Sequence, residues 1–240
     1  MAMANPATAT EIKVFCSGAF KAAFLALVPG FERTTGHKVT STWGSSVAGA
    51  ATSIPNRLAA GEPVDLVIMA ASGLDRLIAQ GKVAAGSRVD LARSGIGAAV
   101  RAGAPKPDLS SAETLKRALL RVKSIAHSSS ASGIYLQNLF RRLGVTDVLG
   151  DRIRQIEGEP VGSVVARGEA EIGFQQVSEL LPVPGIDYVG PLPPQIQQVT
   201  MFSAGIAAHA LEPDAAKALV AFLAAPAAAP LITQSGMEPA

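Results

Sequence analysis

The sequence predicts an α/β chain in two lobes, each built on a mixed sheet flanked by helices and joined to the other by two crossing strands. Short apolar runs alternate with stretches whose apolar residues recur at helical spacing. Several of these strand–helix junctions are rich in Ser and Gly, and two longer strand-like stretches, 91–100 and 198–209, interrupt the alternation. Successive strand–helix units imply parallel strands with right-handed crossovers. With 240 residues and 48% hydrophobic content, mostly Ala, Val, Leu and Ile, the chain can bury two modest cores. Residues 11–90 with 206–240 are expected in the first lobe, and 91–205, hinge strands included, in the second.

In order, Ile12–Cys16 reads as a strand and 20–33 as a helix, with Phe20, Phe24, Leu27, Val28 and Phe31 on one face and a stop near Gly36. A strand over 38–43 leads through Gly44-Ser45-Ser46 to a helix expected over 47–60, bent or interrupted by Pro55. The apolar run 64–70 is a third strand, and a helix over 73–80 stops at Gly81. After the crossing stretch 91–100, with Gly95 and Gly97 inside it, Ser111 is placed to cap a helix over 112–122. A strand over 124–127, a serine loop and a helix over 133–143 follow. A short helix around 161–167, strands over 171–176 and 187–189, an extended turn at 190–194, the strand 198–209 and a helix over 213–224 complete the reading; residues 226–240 pack or fray.

The formal charge of +2 offers no field strong enough to imply nucleic acid. No apolar run is long enough to imply membrane insertion. His37, His127 and His209 lack ligand spacing, so no metal is expected, and no motif implies an organic cofactor. Cys16, the only cysteine, reads as a small buried residue. Residues 1–10 read as a flexible leader. The chain is expected in the periplasm if a signal segment preceded it, and in the cytoplasm if this is the natural start.

The chemistry lies at the junctions Ser17-Gly18-Ala19, Trp43–Ser46, Ser128–Gly133 and Gly162-Ser163. Amides at helix starts, with neighbouring hydroxyls, can hold a small anion without a metal or a covalent nucleophile. Ser17, Gly18, Ser45 and Ser46 are the donors expected from the first lobe; Ser130, Ser132, Gly133 and Ser163 are those expected from the second. Ordinary helix capping, worth about 1 kcal/mol per cap, is the competing role for each serine. Arg93, in the crossing stretch, has the fork to pair a carboxylate. Gln175 and Gln176 end a strand, and alternation turns only one of them toward a cleft.

The opening strand with Ser17-Gly18-Ala19-Phe20, the run Leu58-Ala59-Ala60-Gly61-Glu62-Pro63-Val64-Asp65-Leu66-Val67 and the run Ala166-Arg167-Gly168-Glu169-Ala170-Glu171-Ile172-Gly173 resemble the molybdate-binding-protein-like branch of the type 2 periplasmic solute-binding proteins. The resemblance in element order extends from Glu11 onward. It implies two α/β lobes that close by a hinge around a tetrahedral oxyanion or a di- or tricarboxylate, a monomer, and an ABC permease as partner where the role is uptake. Molybdate-binding members carry a tyrosine just after the strand matching 171–174; Gln175 and Gln176 stand there instead, which points away from molybdate. Gly190-Pro191-Leu192-Pro193 and Ile172–Glu179 are similar to a subgroup that includes aconitate isomerases, enzymes built on a solute-binding fold. That alternative requires a general base for an allylic proton shift on a tricarboxylate. His127, at the end of the strand feeding the serine loop, is the expected base, and Glu179 is a second candidate.

Overall fold

The structure is a computed structural model that describes residues 9–240; the leader expected over 1–10 lies almost wholly outside the described residues. In chain order the elements are β1 (Glu11–Ser17), α1 (Lys21–Thr35), β2 (Lys38–Gly44), α2 (Ile54–Ala59), β3 (Leu66–Ala70), α3 (Ala71–Ala79), β4 (Val89–Ser94) and β5 (Ile96–Arg101). There follow α4 (Ala112–Arg121), β6 (Ile125–Ser128), α5 (Ala131–Arg142), α6 (Thr146–Leu149), β7 (Ile153–Ile156), α7 (Val161–Ala166), β8 (Ile172–Gln176) and α8 (Val177–Leu180). The chain finishes with β9 (Ile186–Pro191), β10 (Thr200–Ile206), α9 (Pro213–Leu223), α10 (Ala229–Gln234) and β11 (Glu238–Pro239).

The first sheet has the order β11-β4-β10-β3-β1-β2, with β1 parallel to β2 and β3 and with β10 antiparallel to β3 and β4. Strand alternation sends Ile12, Val14, Leu66 and Ile68 to one face, beneath α1 and α9, and Phe15, Val67 and Met69 to the other, beneath α2 and α3. Cys16 is fully buried in the first of these cores, and burial pushes its thiol pKa above the usual range. Asp65 is a buried carboxylate that joins three segments, accepting from Lys13 N at 2.8 Å, Leu211 N at 2.8 Å and Glu212 N at 3.0 Å. The second sheet runs β7-β6-β8-β5-β9; α4, α5 and α6 cover one face and α7 the other.

Most elements lie where periodicity puts them, and the departures have local causes. The helix expected over 47–60 shrinks to Ile54–Ala59, with Pro55 in its first turn where a missing N–H is harmless; the small residues before it form bends. The single crossing strand expected over 91–100 is two strands, because the chain leaves the first sheet at Ser94 and enters the second at Ile96, with Gly95 between. The return strand belongs to the first sheet and spans 200–206, shorter than the 198–209 expected. The sheets therefore change over at Gly95 and between Pro191 and Thr200. The tail packs: α10 joins the first core and β11 pairs with β4.

Ser111 caps α4 in a capping box with Thr114. The turn from β6 into α5 is tighter still. A Cβ at Gly133 would lie 1.6 Å from the Ser128 carbonyl oxygen and 2.9 Å from His127 Nδ1, both parts of the turn itself. Gly133→Ala is expected to destabilise the protein by about 1–3 kcal/mol or more, because the backbone must open to admit a methyl group. Gly49→Ala, where a Cβ meets nothing within 4 Å, should change stability by less than about 0.5 kcal/mol. Urea unfolding of the two variants checks the contrast.

Candidate functional site

The carboxyl ends of β1, β2 and β3 share one edge of the first sheet, so Ser17, Gly44 and Ala70 are neighbours there. Thr200 pairs with Ser94 at this same edge. In the second sheet β6 ends at Ser128 and β8 at Gln176, and Ile96 of β5 pairs with Gln176. Residues 94–96 connect the two edges directly. The serine-bearing bends of both lobes therefore lie on the two sheet edges that the crossing joins, the position at which open α/β sheets present ligand groups.

On the second lobe, three hydroxyls meet at the start of α5. Ser128 Oγ lies 2.7 Å from Ser130 Oγ and 3.1 Å from Ser132 Oγ, and the last two are 3.3 Å apart. No side chain caps this twelve-residue helix, so the amides of its first turn remain donors. Ser128 was not among the residues expected to bind, although it stands in the serine loop. His127 has a different surrounding. It is buried beneath α5, and its Nδ1–H donates to the Ser128 carbonyl at 2.8 Å. Burial holds its pKa below the usual imidazole value. That bond closes the strand-to-helix turn.

On the first lobe the serines divide their work. Ser17 precedes a helical turn without capping it, and its hydroxyl is uncommitted. Ser45 Oγ accepts from Val47 N at 3.1 Å, and Ser46 Oγ accepts from Ala70 N at 3.0 Å, tying the loop to the end of β3. An accepting hydroxyl keeps its proton to donate, so both can still serve an anion. Lys21, passed over in the sequence, stands in the first turn of α1 with Nζ 5.1 Å from the centre of the Trp43 ring.

The two glutamines point to opposite faces of β8. Gln176 turns to the crossing: with both ends of its amide satisfied, its nitrogen donates to Ser94 O at 3.0 Å and Gly95 O at 3.1 Å, and its oxygen accepts from the Thr200 hydroxyl at 3.2 Å. Gln175 accepts from Val161 N at 2.9 Å, at the start of α7, and its amide lies near enough to the Glu179 carboxylate to favour the ionised form. Glu179, in α8, is half-buried and reaches the first lobe: a Cβ at Gly18 would lie 2.8 Å from its Oε1. Desolvation pushes its pKa up to about 7, against the smaller opposing effect of Gln175.

A side chain at Gly18 would meet this carboxylate of the opposite lobe and turn its end aside. Glu179 was readable as a site residue from its position three residues beyond the end of β8. Arg93 is exposed on β4, opposite Met201 and Glu238, with no ion pair among the described residues and no hydrogen bond to either serine set. Ser163 lies in the first turn of α7, half-buried, and its hydroxyl makes no hydrogen bond among the described residues. Among the described residues no three His, Cys, Asp or Glu side chains come together as a metal site.

A family model for bacterial extracellular solute-binding proteins matches residues 12–238. A curated relative, aconitate isomerase from a Pseudomonas species, is 46% identical over 231 residues, covering 96% of this chain and 88% of that protein. Solved structures are similar in fold. The periplasmic molybdate-binding protein of Azotobacter vinelandii aligns with a TM-score of 0.77 and 23% identity over 94% of this chain and 98% of that one. The sulfate-binding protein SubI of Mycobacterium tuberculosis aligns at 0.74 and 20% identity over 96% and 87%. The family match takes in both sheets, the crossing at Gly95 and both serine-bearing edges, and the chain belongs to the bacterial extracellular solute-binding proteins.

Proposed function

We propose that this chain encloses an aconitate-type tricarboxylate between its lobes and moves a proton across the allylic system, interconverting the cis and trans isomers. The observation that carries this reading is Glu179, a carboxylate held at the lobe interface against Gly18 with its pKa raised to about 7. A cleft of hydroxyls and amides alone suits a tetrahedral oxyanion. A base poised near neutrality inside it suits proton transfer. The 46% identity to aconitate isomerase, extending along nearly the whole chain, supports the same substrate class.

In this mechanism the hydroxyls of Ser128, Ser130 and Ser132, with the amides at the start of α5, hold one carboxylate; Ser17, Gly18 N–H, Ser45 and Ser46 hold another from the facing lobe. Arg93, which forms no ion pair among the described residues, and Ser163 are the further groups that a third carboxylate can engage. Ionised Glu179 takes a proton from the substrate methylene. The C–H electron pair forms the new double bond, and the former π pair takes the proton back from Glu179 at the far allylic carbon. The charge that builds up in between is dienolate-like and is met by the same N–H and O–H donors. The nearby Gln175 amide favours the ionised form of Glu179. His127 supports the turn and stays outside the proton path.

The serine-bearing edges of both lobes belong to one chain, so no partner subunit is needed to complete the site, and the family's extracellular description supports a periplasmic site of action. A receptor that hands its ligand to an ABC permease is the second reading. It is favoured by the fold shared with molybdate- and sulfate-binding proteins.

Proton NMR of trans-aconitate mixed with the protein is expected to show the cis isomer forming. Glu179→Gln should lower turnover by about 10²–10⁴-fold and leave affinity within a few-fold. Binding without conversion by the wild type establishes the receptor reading; thermal stabilisation by molybdate or sulfate and not by aconitates removes the carboxylate altogether.

The raised pKa of Glu179 has two consequences of opposite sign. As a base it must be ionised, so kcat/KM should fall about tenfold per pH unit below pH 7, the folded-state value. For stability, the folded state holds this proton more tightly than the unfolded chain, whose glutamate titrates near 4.5. Its contribution is therefore fully present below pH 4.5 and is lost as pH rises through 7. Urea midpoints of the ligand-free protein measured between pH 5 and 8 should decline less steeply in Glu179→Gln than in the wild type.

A further inference from the structure

At the pole of the second lobe opposite the cleft, where β5 ends and β6 and β8 begin, the surface folds into a hollow of about 730 Å³. That volume is within the range of small-molecule sites. Val100, Ala104, Pro107, Ala118 and Ile172 give it an apolar floor, and four cations, Arg101, Lys106, Arg117 and Arg121, line it against two carboxylates, Asp108 and Glu171. Both carboxylates are already engaged with backbone: Asp108 Oδ1 accepts from Ser110 N at 2.9 Å and Glu171 Oε2 from Lys123 N at 2.8 Å. Lys106 is engaged as well, donating to the Tyr188 carbonyl at 3.0 Å.

The three arginines are left over. None of Arg101, Arg117 and Arg121 forms an ion pair among the described residues. Thr114, Arg117, Ala118 and Arg121 line the hollow from one face of α4, and the i,i+4 spacing of Arg117 and Arg121 sets two like charges side by side. Such a pair opposes the helix unless an anion sits between the guanidiniums. Guanidinium forks match carboxylate oxygens, and an apolar floor beneath them excludes a fully hydrated inorganic ion.

We propose that this hollow binds an amphipathic organic carboxylate, an acyl or aryl acid whose headgroup pairs with Arg101, Arg117 and Arg121 and whose apolar body lies on the floor. The site is separate from the cleft, since the serine-bearing bends occupy the other edge of the same sheet. Octanoate is the probe. Titrated into the full-length protein and followed by amide NMR, it should give saturable shifts at Val100, Ala104, Ala118 and Ile172, undisturbed by excess trans-aconitate. The double variant Arg101→Ser with Arg121→Ser should bind at least about tenfold more weakly, with an unchanged urea midpoint because both side chains are exposed. Octanol, lacking the charge, and inorganic phosphate, lacking the apolar body, should each bind at least about tenfold more weakly than octanoate. The proposal is overturned if octanol or phosphate matches octanoate, if the double variant keeps its affinity, or if the shifts fall at the serine-bearing edges instead.

Discussion

The strand ladders stop where the chain passes between lobes, and the backbone groups left open there are met by two side-chain amides. Gln197 accepts from Ile96 N at 2.8 Å and donates to Ile96 O at 2.9 Å, doing for β5 what a neighbouring strand would do. Gln176 serves the other half of the crossing, at Ser94, Gly95 and Thr200. A buried backbone group without a partner costs about 1–3 kcal/mol, and these amides, together with Val177 N on Gly95 O and Leu192 N on Ile96 O, leave the crossing at Gly95 satisfied. A Cβ at Gly95 would lie 3.1 Å from the Gln197 amide, which leaves little room for a larger residue. The position of both serine-bearing edges relative to each other follows from this joint.

The helix α8 has an ambiguous allegiance. It follows a strand of the second sheet, yet Val177 N donates to Gly95 O at 2.9 Å, Ser178 faces Ser94 across 3.5 Å, and a Cβ at Gly236 would lie 2.5 Å from Leu181 Cδ1 just beyond it. These contacts set Glu179 against Gly18 and take part of its carboxylate out of water. Desolvation of the carboxylate and its approach to the first lobe have one cause.

Much of this was legible in the sequence, because apolar periodicity reports which face of an element is buried. Phe20, Phe24, Leu27, Val28 and Phe31 are all buried as their spacing requires, and Ser111 caps the helix it was expected to cap. The break at Gly95 was hidden because strand-like residues stand on both sides of it, Leu91-Ala92 before and Ile96–Val100 after; only the change of sheet reveals two strands. The serines were legible as a set but not in their separate tasks, since capping, bracing and ligand donation use the same side chain. Ser46 braces β3, whereas Ser17 and Ser130 leave their helix starts uncapped. His127 was placed first for standing at a strand end, but burial depends on packing: the adjoining α5 turn for His127, and Gly18, far along the chain, for Glu179.

The lone thiol of the chain gives a practical outcome. Cys16 sits on β1 between β2 and β3, shielded from solvent and held in its protonated, unreactive form. Maleimide reagents will therefore pass over it while the protein is folded. Reporter dyes placed through introduced thiols, one on each lobe, would read out interlobe distance against a silent background, with no need to remove the native residue from the core.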